Sequence, residues 1–337
     1  MPHIIPATLI PGDGIGPEIV DATLAALDAL GAGEPHQKPL NATVNSELHT
    51  LDAATLAHLQ SWTGKTETLT DEVTPAPLRG LSATLDRDDP APLPGTVLPA
   101  LGHWLYFLPQ HRQSELGPDG HARRGGFLPP VPLPRRMWAG GRLQWLPENP
   151  LRVGEVIERV SRIESVTHKA GRAGDLLFVL VKHEVRNASG LALTEEHDIV
   201  YRAAARAGDA VAPPVAAERE AAWRHEIQPD NVLLFRYSAL TFNGHRIHYD
   251  RNYVTEVEGY PGLVVHGPLI ATLLIDLVRR EMPGAVIKSF GFEAVRPIFD
   301  LHPFFLCGVP SGDGKSVKLW AADHEGWLTM HGELELG

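Results

Sequence analysis

Ser238-Ala-Leu-Thr-Phe-Asn-Gly-His-Arg-Ile-His-Tyr-Asp250 and Pro261-Gly-Leu-Val-Val-His-Gly-Pro268 lie close together in the C-terminal third of a 337-residue chain. The first stretch sets an amide, Asn243, and an imidazole, His248, five positions apart beside a turn-forming Asn-Gly pair. The second ends an apolar run at Gly267, from which a strongly apolar stretch with helical spacing continues to Glu281. An amide and a near-neutral base can hold and activate water, and the free N–H groups at a helix start can hold a developing negative charge. Together they point to chemistry beside a carbonyl, a thioester above all. Strand patterns follow the helix at Ala285–Ile298, Pro303–Val309, Ser316–Ala322 and Trp327–Leu336. One long apolar helix followed by antiparallel strands describes a sheet wrapped around a central helix.

The same plan is readable upstream. A block from about Leu51 to Ala205 opens with a helical pattern at Asp52–Trp62 and continues through a Pro-rich stretch, Thr74–Pro99, to a short helical pattern at His103–Leu108. A long loop, His111–Arg136, comes next, and an irregular segment of that length is usually functional. The block closes on strand patterns at Gly141–Leu146, Val156–His168, Asp175–Arg186 and Leu193–Arg202. Two strand-rich tails read as diverged repeats of one α+β unit. The expected division is 1–49 as an N-terminal extension and linker, 50–205 as a first domain, 206–227 as an Ala- and Pro-rich connector, and 228–337 as a second domain carrying the motif.

Composition narrows the class. With 43% hydrophobic and 21% charged residues the chain reads as globular, and its net charge of -11 argues against a nucleic-acid surface. A single cysteine, Cys307, excludes an intrachain disulfide framework and reads as a buried strand thiol. The N-terminal residues carry no signal-peptide pattern, and the longest apolar stretch, Leu263–Val278, contains His266, Pro268 and Asp276 and is too short to cross a bilayer. A cytoplasmic location without nucleic-acid or membrane partners is expected.

Each candidate also has an ordinary reading. His248 can cap a core, Asn243 can serve its turn, and Gly267 can simply start a helix. His245 and His248 form an H-x2-H pair, but no third ligand stands at a diagnostic spacing, so no metal is expected. The remaining histidines are expected to be mostly solvated. Arg123, Arg124, Arg135, Arg136 and Arg142 make the one dense basic region of an acidic chain. They form either a solvated loop or a site for phosphates or a carboxylate, and the sequence does not say which arginine would do this.

Tyr237–Asp250 together with Gly262–Gly267 resembles the MaoC-like acyl-CoA hydratase and dehydratase superfamily, which has the hot-dog fold, often in double form. His111–Gly120, Arg124–Pro130, Arg135–Gly141 and Thr194–Arg202 resemble, within it, the branch of mesaconyl-C4-CoA (3-methylfumaryl-CoA) and itaconyl-CoA hydratases. The likeness covers roughly residues 50–337. It implies an α+β double hot-dog, two antiparallel sheets each wrapped around a helix. It also implies a hydro-lyase that adds water to a short-chain, dicarboxylic enoyl-CoA to give citramalyl-CoA. His248 is then the base, Asn243 orients the water and the Gly267 N–H holds the enolate oxygen, while Arg124, Arg135, Arg136, Arg142 and His266 contact substrate. No cofactor is implied, CoA being part of the substrate, and a homodimer is expected.

One departure matters. Most of the superfamily has Asp where this chain has Asn243, and an amide cannot act as a base. His248 is then the sole strong base of the pair, which leaves open whether the rate is modest or another acid is recruited from the first block. The alternatives are an (R)-specific hydratase or dehydratase of longer chains, a thioesterase, and a non-catalytic acyl-CoA-binding protein. Separately, residues 7–32, with Leu9–Val20 carrying the likeness, resemble the opening strand, turn and helix of the isocitrate/isopropylmalate dehydrogenase family. That likeness stops after roughly twenty-five residues and lacks G-x-G-x-x-G. It implies a short, non-catalytic βα extension, and a nicotinamide-dependent dehydrogenase ranks last.

Overall fold

Among the described residues ten strands pair antiparallel into one sheet, and their order repeats. The computed structural model describes residues 51–171, 174–203 and 213–337. The reading of 1–49 therefore lies outside the described residues. In the first half β1 is Thr66–Glu72, β2 Arg135–Trp145, β3 Val156–Gly171, β4 Gly174–Asn187 and β5 Gly190–Arg202. In the second, β6 is Trp223–Ile227, β7 Ile287–Ala294, β8 Phe304–Pro310, β9 Ser316–Ala322 and β10 Leu328–Leu336. The spatial order is β1-β3-β4-β5-β2-β7-β10-β9-β8-β6. Counted from either outer edge, each half runs first, third, fourth, fifth, second. The two second strands meet in the middle, where Gly140–Gln144 of β2 pair with Ser289–Glu293 of β7. The shared strand order is that of two copies of one unit, and their sheets run on into each other.

The α-helices among the described residues are α1 (Ala53–Gln60), α2 (Pro75–Thr84), α3 (Asn231–Leu240) and α4 (Gly267–Glu281). Asp52 and Asp230 cap α1 and α3 by accepting the N–H groups of Thr55 and Leu233, each at 2.7 Å. Every residue of α4 from Leu269 to Val278 is buried, as expected of a helix apolar on all sides. Phe290, Phe304, Leu306, Val317, Leu319 and Leu334 belong to the same core. The one acid in that run, Asp276, is paired with Arg87 at 2.9 Å and Arg280 at 2.7 Å, so the buried charge is compensated. A second core joins Leu51 and Leu59, flanking and within α1, to Ile163, Leu177, Val179, Val181 and Tyr201 of the first-half strands. Cys307 is buried on β8, as its apolar setting implied, and burial pushes its thiol pKa up. Among the described residues no helix is long and apolar enough to cross a membrane.

Three local expectations change. The connector 206–227 ends in a strand, because Trp223–Ile227 pairs with Phe304–Gly308 as β6. Strand β1, Thr-Glu-Thr-Leu-Thr-Asp-Glu, is polar at every position but Leu69, which hides an edge strand from a hydrophobic pattern. The Pro-rich stretch contains α2, whose Pro75 and Pro77 stand in the first turn, where a missing N–H costs nothing.

The solvated histidines are also corrected. On β5, Glu195 is 4% exposed and His197 points the same way, into the first half. Glu195 accepts hydrogen bonds from Trp104 Nε1 at 3.0 Å and from His103 Nε2 at 2.9 Å. His183 Nδ1 pairs with Ser161 Oγ at 2.7 Å, and the His197 ring lies 4.0 Å from that of Trp138. Burial would raise the Glu195 carboxyl, but the His103 hydrogen bond and nearby imidazoles hold it down at about 2. Burial also drives His183 down to about 4. A row of polar groups across several strands has no local signature, because residues meet only through sheet register.

Candidate active site

The end of α3 and the start of α4 face each other across the motif. Asn243 N–H donates to the Ser238 carbonyl at 2.8 Å, and its side-chain Oδ1 accepts the His245 N–H at 3.0 Å. This Asx turn fixes the loop and leaves the amide NH2 as a donor. His248, 8% exposed, sits in the short turn Arg246–His248. Its Nδ1 lies 2.7 Å from the Val264 carbonyl oxygen, which can only accept, so the proton is on Nδ1 and Nε2 keeps its lone pair. Burial lowers the His248 pKa to about 4, so the ring is a neutral base at pH 7.

His266 orients that ring. The two imidazoles stack at 3.7 Å and 16°, and His266 Nε2 is hydrogen-bonded to Ser238 Oγ at 2.8 Å. His266 is only 1% exposed, and burial holds its pKa well below the ordinary value, so it stacks as a neutral ring. It is also the residue immediately before α4. The Ile270 N–H returns to its carbonyl at 3.1 Å, while the N–H of Gly267, the first helical residue, precedes any intrahelical acceptor. A Cβ built on Gly267 would meet nothing within 4 Å. The helix therefore begins in open space next to the base.

A loop of the first half docks on the motif. The Arg246 N–H donates to the Asp119 carbonyl at 2.9 Å, and Arg246 Nη1 to the Pro118 carbonyl at 3.0 Å. Gly120 has φ +86°, and any Cβ there would run into the Gly244 carbonyl. The docking sets His121 beside His245, with ring centres 4.0 Å apart, and His245 edge-on to His248 at 5.4 Å. Asp119 Oδ2 accepts from His121 Nδ1 at 3.0 Å and Oδ1 from the His121 N–H at 3.1 Å. Burial opposes this carboxylate, but the hydrogen bonds from the His121 ring and backbone N–H outweigh it and keep Asp119 ionised. One donor atom each of Asp119, His121 and His245 lies within 4.8 Å of the others. Here they form a carboxylate–imidazole pair stacked on a second imidazole. Gly120→Ala is expected to cost at least about 2 kcal/mol from backbone strain and overlap. It should also lower kcat/KM more than tenfold, whereas Gly126→Ala, with open space around it, should be silent. Denaturant unfolding and steady-state kinetics check both.

The arginines separate by partner. Arg124 donates to the carbonyls of Val131, Leu133 and Pro134, bracing its own loop. Arg135 reaches the Glu258 carbonyl at 3.0 Å and covers the Tyr260 ring. Arg142 is 51% exposed and bound to Glu196 and Asp198 at 2.6 and 2.7 Å, on the face of β2 opposite the buried Leu143. Arg136 has no ion pair among the described residues, and its charge helps depress the pKa values of His121 and His245. Thus His248, Asn243, His266 and Gly267 come together and Arg136 adjoins them. Asp119, His121 and Ser238 join the group without having been anticipated. Ser238 opens the quoted motif and Asp119 lies in the quoted stretch His111–Gly120, but neither residue type there pointed to a role by itself.

The sequence pattern of hydroxyacyl-thioester dehydratase type 2 matches residues 101–300. The mesaconyl-C(4)-CoA hydratase of Chloroflexus aurantiacus is 43% identical over 281 residues, covering 83% of this chain and 99% of that protein. A MaoC-like dehydratase from Phytophthora capsici superposes with a TM-score of 0.60 at 13% identity, over 84% of this chain and 97% of that one. A Mycobacterium tuberculosis protein described as a double hotdog fold matches with a TM-score of 0.50 at 12% identity, over 82% and 96%. These last two bear on the fold, which is a double hot-dog. With a curated relative matched almost end to end and a family pattern spanning the motif, the chain belongs to the MaoC-like, type 2 hydroxyacyl-thioester dehydratase family of acyl-CoA hydratases and dehydratases.

Proposed function

We propose that the protein hydrates a short-chain enoyl-CoA carrying a second carboxylate, 3-methylfumaryl-CoA (mesaconyl-C4-CoA) first and itaconyl-CoA second, to give citramalyl-CoA. The observation that carries the reading is a neutral His248, its Nε2 unengaged, stacked on the residue that opens α4. The 43% identity to a hydratase of that substrate supports the acyl group.

Water sits between His248 Nε2 and the Asn243 amide. With 3-methylfumaryl-CoA, whose C=C is conjugated with the thioester, the water oxygen bonds to the β-carbon, a water proton passes to Nε2, and the C=C π pair moves through the α-carbon to the thioester oxygen. The Gly267 N–H at the positive end of α4 meets that enolate oxygen. The imidazolium, its Nδ1–H still held by the Val264 carbonyl, then gives its proton to the α-carbon. His248 ends neutral, one C–O and one C–H bond have formed, and nothing is oxidised or reduced. CoA enters and leaves as part of the substrate, and no other cofactor is consumed. The same reading takes the protein to be cytoplasmic and a homodimer.

The test is a comparison of kcat/KM for 3-methylfumaryl-CoA, itaconyl-CoA and crotonyl-CoA, followed by chromatographic separation of each hydrated thioester from its substrate. A preference of at least about tenfold for a carboxylate-bearing substrate is expected. Crotonyl-CoA as the best of the three would assign the longer-chain hydratase class instead.

A further inference from the structure

Resting on that reading, we propose that Arg136 holds the substrate's free carboxylate, in a subsite on the inner face of the first half beside His197 and Tyr201. Strand register gives its direction. Arg136 stands directly opposite Tyr201, and facing residues of an antiparallel pair project to one side. Tyr201 is 2% exposed and belongs to the first-half core, so Arg136 also points inward. Two residues on, Trp138 points the same way and packs on His197, while the intervening Met137 is exposed. Arg136 itself is half-buried.

The other arginines are occupied. Arg124 is committed to three carbonyls, Arg135 to Glu258, and Arg142 to two acids on the outer face. Arg136 faces no carboxylate among the described residues, and beside the Tyr201 hydroxyl its five-donor guanidinium still has N–H groups for a ligand. The charge of Arg136 is felt at His121 and His245, next to His248, and at His197. Its position suits the chemistry. In 3-methylfumaryl-CoA the free carboxylate is bonded to the β-carbon, the atom that water attacks. The group that binds it must therefore stand beside the water-holding pair, and a planar guanidinium can grip both oxygens.

The test is the ratio of kcat/KM for 3-methylfumaryl-CoA to that for crotonyl-CoA, which has no carboxylate. In Arg136→Gln the ratio is expected to fall by about 100-fold. Arg136→Lys keeps the charge without the fork and is expected to lower the ratio by about tenfold. If the glutamine variant does not fold, the lysine variant decides. An unchanged ratio in the folded variants would overturn the assignment. Absence of any preference in the wild-type enzyme would instead overturn the substrate reading beneath it, so the two failures are distinguishable.

Discussion

Replacing His248 with alanine is expected to lower kcat/KM for hydration by about 10²–10⁴-fold, the range of a lost general base. The ring is buried and hydrogen-bonded, so the change also costs stability, about 1–3 kcal/mol for the unpaired Val264 carbonyl and the space left behind. His248→Asn separates the effects, since an amide can still donate to Val264 but cannot accept a proton. It should be nearly as inactive as alanine while recovering part of the stability. Because burial places the His248 pKa at about 4, the acid limb of kcat/KM is expected near pH 4 rather than near an ordinary histidine value. The sign for stability follows. The unfolded chain binds protons to His248 and His183 near pH 6.5, whereas the folded chain resists until about pH 4. Stability is fully present above pH 6.5 and falls as the pH drops through that window. A pH–rate profile with parallel unfolding measurements reads both. An acid limb at pH 6–7 with the fold intact would remove the buried-base assignment.

The second large effect is expected at Gly267. Proline there deletes one N–H and little else. His266 has φ −61° and ψ 129°, the conformation a residue before proline prefers, and the first helical position tolerates proline. Gly267→Pro is expected to reduce kcat by about 10²–10³-fold, as when one oxyanion donor is lost. Gly267→Ala keeps the N–H, and its Cβ enters open space, so kcat should change far less while KM rises if that space receives substrate. Equal kcat values for the two variants would dissociate the helix N-terminus from the enolate.

Much of this was legible because it is local. The apolar run 267–281 is the central helix to the residue, and the last strand patterns match β8 to β10 to within one residue. The Asn243–His248–Gly267 grouping follows from one loop and one helix start. Contacts made through long-range register or loop docking were not legible. Glu195 and His103 meet across the first half, and Asp119 reaches the motif only because Gly120 fits against Gly244. Four of the five clustered arginines looked equivalent as substrate ligands in the sequence. They differ because Arg136 and Arg142 lie on opposite faces of the same strand, and only folding reveals which carboxylates lie near each.

The most direct measurement is the mass and thiol balance of a reaction between the wild-type protein and 3-methylfumaryl-CoA. The expected product is the substrate plus one water, still a thioester, formed without release of free CoA and lost with His248→Asn. Free CoA without a hydrated thioester, or undiminished hydration by that variant, would contradict the assignment of this site as a hydratase centre.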